Sequence, residues 1–112
     1  MKIIDNTISK QELVELAEES FSDFVKAVVD IEKQIMVIDA ELHSDEESLL
    51  LQEGSKQINL WGINIYPTKN SDEWIEFDSV INIRPRLKNF SRFVEDESIQ
   101  KEIIAIVNNL VK

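Results

Sequence analysis

The sequence predicts a two-layer α+β domain, an antiparallel β-meander of four or five strands with an N-terminal and a C-terminal helix packed on one face. Three observations carry that prediction. Apolar residues recur at three-to-four-residue spacing near both ends of the chain. Between the ends they alternate with polar ones in several short runs. The total of 112 residues with 43% hydrophobic content suits one domain with its own core, burying about two thirds of the unfolded surface.

The first helix is signalled by Ser9 with Glu12 three residues on, a reciprocal capping pair, and by Ile8 and Leu13 at the flanking apolar positions. Leu13, Leu16, Ala17, Phe21 and Phe24 then repeat at helical spacing, so this helix is expected from Lys10 to Ser22. From Val25 the period falls to two. Val25, Ala27, Val29 and Ile31 alternate with a second set, and Met36, Ile38, Ala40 and Leu42 do so after a polar link at Lys33 and Gln34. The pair reads as an antiparallel hairpin.

Ser44 to Gly54 admits two readings. Ser44 and Glu47 fit a helix cap with Gly54 as terminator. Leu49 to Leu51 running into Glu53-Gly54-Ser55 fit a strand entering a tight turn, which the distance to Leu60–Tyr66 favours. Pro67 stops that next strand. A further strand is expected from Ile75 to Arg84, with Ile75, Phe77, Ile81 and Ile83 on one face and Pro85 at its end. Asp96 then caps a closing helix striped by Ile99, Ile103, Ile106, Val107 and Leu110.

Composition excludes several functions. The chain has no cysteine, so disulfide scaffolds, zinc–thiolate sites and thiol catalysis are out. Its two glycines cannot build a nucleotide-binding loop. A formal net charge of −10 repels phosphate at long range and argues against nucleic-acid binding. No apolar run reaches the roughly 20 residues of a membrane span, and no secretion signal opens the chain, so a cytoplasmic location is expected. Nothing in the residues names a cofactor.

A polar sheet face is expected to hold Asp30, Glu32, Asp39, Glu41, His43, Asn64, Tyr66, Glu76, Asp78, Asn82 and Arg84, and two features, one on that face and one in the irregular basic segment after it, could carry a site. Glu41, His43 and Asp45 stand at spacing two, which on a strand places all three on one side, a possible divalent-metal set for an assisted hydrolysis. The plain alternative is a strand end running into an acidic turn. The stretch Arg84 to Arg92 holds every arginine of the chain, Arg84, Arg86 and Arg92. With Asn82, Asn64 and Tyr66 it suits recognition of an anionic ligand or a protein partner. Its plain alternative is pairing with the chain's own acids, such as Asp78 or Glu95. The polarised charge also allows a homo-oligomer, and enzyme and binding module both stay open.

Glu41-Leu42-His43-Ser44-Asp45, Gly54-Ser55-Lys56-Gln57, Leu60 to Pro67, Ile75 to Ser79 and Ile81 to Pro85 together resemble a family of short uncharacterised prokaryotic proteins. The likeness extends through Ser91-Arg92 and Val94-Glu95-Asp96 and so covers nearly the whole chain. It implies a single domain and supplies no activity. The family pattern has glycines near Asp39, Ala40 and Phe93, where this chain is bulkier.

Overall fold

Ser9 caps the first helix as its spacing predicts: its hydroxyl accepts the Glu12 N–H at 3.0 Å. The computed structural model describes residues 1–112, and this helix, α1, runs Lys10–Glu19 and buries Leu13 and Ala17. It ends short of Ser22 because Phe21 turns left-handed, at φ 54°.

A short strand that the sequence does not announce, β1 (Lys2–Ile4), precedes it. The expected hairpin follows as β2 (Val25–Asp30) and β3 (Ile35–Ile38). Buried Asp30 shapes its turn, accepting the N–H groups of Glu32 and Lys33 at 2.9 and 3.0 Å. The second strand stops at Ile38 rather than continuing to His43, because Asp39 is left-handed at φ 69°. Next come β4 (Leu60–Ile65) and β5 (Ile75–Glu76). The five strands are antiparallel in the order β1-β3-β2-β4-β5, so β2 lies at the centre and β1 pairs beyond β3.

The sheet's alternation builds the larger core. Val25, Ala27, Val29, Met36, Ile38, Trp61, Ile63 and Ile65 point to one side, where they meet α1 and the last helix, α3 (Glu97–Leu110). Asp96 caps α3 as expected, and Ile103, Ile106, Val107 and Leu110 are its buried stripe. The two terminal helices thus share one face, as the sequence pattern requires. Backbone bonds from Ile8 N–H to Leu110 C=O (2.8 Å) and Lys112 N–H to Ile8 C=O (2.9 Å) lock the ends together.

The other face corrects the preferred reading of Ser44–Gly54. That stretch is helix α2 (His43–Gln52), not a strand, and Gly54 closes it at φ 97°. Leu50 goes inward onto Val28, Val37 and Leu60, Leu49 packs beside them, and Leu51 stays exposed. A strand paired with β4 could not have covered Val28 and Val37, and β2 already takes that edge.

A second correction concerns Ile75 to Arg84. The strand ends at Glu76, and a 3-10 turn at Val80–Asn82 crosses beside Gly62. A Cβ on Gly62 would stand 2.5 Å from the Ser79 Cβ, so only glycine admits this crossing. Asn82 replaces the missing strand: its Oδ1 accepts the Gly62 N–H at 2.8 Å and its Nδ2 donates to the Gly62 carbonyl at 2.9 Å. No helix is long and apolar enough to cross a membrane.

Candidate functional site

The arginines have three different fates. Arg84 opens the turn Pro85–Leu87 and folds inward. Its Nη2 donates to Glu47 on α2 at 3.0 Å, with the two side chains only 11% and 14% exposed. The guanidinium lies 5.2 Å from the Trp61 ring centre, a cation–π placement. Burial lowers its pKa, which Glu47 opposes by holding the charge in place. This is the internal pairing that stood as the plain alternative, although the partner is an acid the sequence did not single out. Arg86 is exposed on the turn. Arg92 pairs with Asp78, Nε to Oδ1 at 2.6 Å, and both side chains remain half open to solvent.

Asn82 is fully buried and spends itself on backbone, donating also to the Arg92 carbonyl at 3.0 Å. Asn89 does the same for the loop, donating to the carbonyls of Asn82, Ser91 and Phe93 and accepting the Glu95 N–H. Glu95 in turn accepts from Ser91 and from the Phe90 N–H, and these bonds hold its carboxyl below the usual range. The basic segment is therefore a built loop with fixed ends.

Two of the expected ligand residues do meet. Tyr66 and Arg92 line a groove of about 610 Å³ between β5 and the segment Ser91–Phe93. Carboxylates Glu73, Glu76 and Asp78 and the ammonium of Lys69 complete its polar lining, over Ile75, Phe77 and Phe93. The Phe77 and Phe93 rings meet edge to face at 6.0 Å. Lys69 Nζ sits 4.3 Å from the Tyr66 ring centre. Asn64 lies beneath rather than in the lining. It is opposite Glu76 in register and donates to its carboxylate at 2.7 Å, while the Tyr66 hydroxyl donates to the same oxygen at 3.3 Å. Arg92 holds the Asp78 carboxyl below its ordinary range, chiefly through their hydrogen bond. Partial burial, then Glu76, raises the Tyr66 phenol.

Arg92→Ala is expected to leave the fold intact and the denaturant midpoint essentially unchanged, because the pair it breaks is solvent-exposed.

Glu41, His43 and Asp45 do not converge. The spacing argument required a strand, but His43 is the first residue of α2, so its neighbours two positions away point elsewhere. His43 is buried and its Nε2–H donates to the Ile63 carbonyl at 2.7 Å, while Glu41 and Asp45 are exposed. Burial lowers its pKa, so the imidazole is held neutral. No group of three His, Cys, Asp or Glu side chains is arranged to hold a metal.

Sequence reasoning missed Lys69 and Glu73, which sit in a turn-rich loop where no periodicity marks a side chain's direction. It also missed Glu46, a wholly buried acid in the first turn of α2. One Glu46 oxygen accepts the Ala40 N–H at 3.2 Å, the other has no partner within the protein, and burial pushes the carboxyl up to about 9.

No curated protein and no solved structure matches the chain. A family model does, over residues 2–110, so the chain belongs to the family described as Protein of unknown function (DUF5674).

Proposed function

We propose that the chain is a binding module and that the groove beside Tyr66 and Arg92 takes a small ligand carrying both an ammonium and an anionic group. The charge of the lining is the observation that carries this reading. Two cations, Lys69 and Arg92, face three carboxylates, Glu73, Glu76 and Asp78, so a purely anionic ligand meets net repulsion. A zwitterion satisfies both signs. Its cation fits the Tyr66 ring and Glu76, the place where Lys69 already shows an ammonium is welcome. Its anion fits Arg92, since Asp78 occupies only the Nε of that guanidinium.

The test is a thermal-shift and calorimetric panel of amino acids, betaines and phosphocholine against matched simple amines and simple anions. A zwitterion is expected to raise the midpoint where neither half-ligand does. Arg92→Ala and Glu76→Gln should each weaken that binding by about tenfold or more. Binding that survives both substitutions, or a panel in which no zwitterion acts, removes the reading.

A second reading, docking of a protein partner, is favoured by the exposed side chains between Val80 and Phe93. Of the eleven exposed large hydrophobic side chains, five are Val80, Ile83, Leu87, Phe90 and Phe93, interleaved with Arg86 and Lys88. Such a concentration of apolar and arginine side chains marks interfaces rather than solvated loops. Its basic charge suits a partner that presents carboxylates. Leu87→Ser with Phe90→Ser should abolish co-purification of that partner without changing the zwitterion panel.

A further inference from the structure

We propose that a second groove, beside Phe21, is a docking site for a basic amphipathic segment of a partner protein. Phe21 is the first residue beyond the end of α1 that turns left-handed. Its N–H donates to the Glu18 carbonyl and the Ser22 N–H donates to the Ala17 carbonyl, both at 3.0 Å. That pair of bonds is the helix closure whose left-handed position glycine ordinarily fills, because a Cβ there is disfavoured. The side chain is 99% exposed, so no internal packing offsets the strain. A strained position occupied by a bare aromatic ring points to a contact made outside the fold.

The surroundings define what that contact is. A groove of about 690 Å³ runs from the end of α1 to the turn after β3. Leu16, Phe24 and Ala40 give it an apolar floor. Glu19, Asp39 and Glu41 give it an acidic rim. Lys26 is the one cation in the lining, and its ammonium is committed to the Glu41 carbonyl at 2.6 Å. Three carboxylates on a chain of net charge −10 draw a cationic segment, and the floor and Phe21 require that segment to carry large apolar side chains as well. The occupant is therefore a stretch rich in Lys or Arg with apolar anchors.

The full-length chain is used as bait for a phage-displayed library of random peptides at low ionic strength. Recovered peptides are expected to combine Lys or Arg with a large apolar residue, and to bind more weakly as salt rises. Phe21→Gly should weaken them about tenfold or more while raising the unfolding midpoint, since glycine relieves the left-handed backbone. Glu19→Gln with Glu41→Gln should weaken them and flatten the salt dependence. A gain in stability together with a loss of binding is an outcome that misfolding cannot imitate. An empty selection, acidic or uncharged peptides, or affinity unchanged in Phe21→Gly overturns the proposal. Sedimentation showing concentration-dependent self-association that Phe21→Gly abolishes also overturns it, by assigning the groove to a second copy.

Discussion

Glu46→Gln is expected to remove a fall in stability that the wild-type protein shows between the ordinary carboxylate value of 4.5 and about pH 9. The sign follows from proton counting. Below 4.5 the folded and unfolded states both carry the proton; above 9 neither does. Between those limits only the folded state holds it, so each pH unit costs the fold about 1.4 kcal/mol. Raising the pH from 4.5 to neutrality therefore removes roughly 3 kcal/mol, a large share of a small domain's total. The cause is burial: Glu46 is enclosed in the first turn of α2 with no cation bonded to it; the Ala40 N–H and nearby Lys26 oppose the shift, and Asp39 adds to it. Glutamine keeps an oxygen for the Ala40 N–H and never ionises.

Denaturant titrations of both proteins across that range give the measurement. His43 works in the opposite direction, since its lowered pKa makes stability rise with pH up to its ordinary value of 6.5. It is present in both proteins, so the difference between the two curves isolates Glu46. Parallel curves would show that Glu46 is ionised in the fold and that α2 tolerates the charge.

The parts of the fold that periodicity could announce are the parts where one side of an element meets a core. Leu13 and Ala17 in α1, and the stripe from Ile103 to Leu110 in α3, are buried by one face only, so their spacing is a direct imprint of the contact. The same holds for Val25, Ala27 and Val29 in β2. Leu49, Leu50 and Leu51 leave no such imprint. Three adjacent leucines fit a strand or a helix equally, and what decided between them was the need to cover Val28 and Val37, a tertiary demand.

The site divided along a similar line. Tyr66 and Arg92, both expected on a ligand-binding surface, line one groove and keep part of their side chains open to solvent. Residue type alone could not separate Arg92 from Arg84. The same guanidinium is a surface pair in one case and a buried one over Trp61 in the other. The expected metal set failed because its spacing has meaning only on a strand, and the chain turns left-handed at Asp39 before that strand can continue.

Asn82→Ala should destabilise the protein by about 2 kcal/mol or more in denaturant titration, and should loosen the arginine segment against the sheet. Asn82 was a candidate ligand residue in sequence, yet each of its polar atoms is already used. Its Oδ1 and Nδ2 complete the Gly62 peptide groups at the free edge of β4, and Nδ2 also reaches the Arg92 carbonyl. Alanine leaves the Gly62 N–H and the Gly62 carbonyl without partners in a place closed to water, each costing about 1–3 kcal/mol, while the Arg92 carbonyl keeps the Ser79 N–H at 3.1 Å. Gly62→Ala should act at the same joint from the other side, because its Cβ would displace Ser79 and carry the turn away. Asn82→Asp separates the two halves of the argument. It keeps the acceptor for the Gly62 N–H, loses both donations and brings a carboxylate against two carbonyl oxygens, so it should fall at least as far as alanine. If either Asn82 variant instead kept full stability and lost only zwitterion binding, Asn82 would be a ligand contact. Because Asn82 ties the groove's Arg92 to the strand that leads into Tyr66, the stability of this joint and the shape of the groove are one property of the chain.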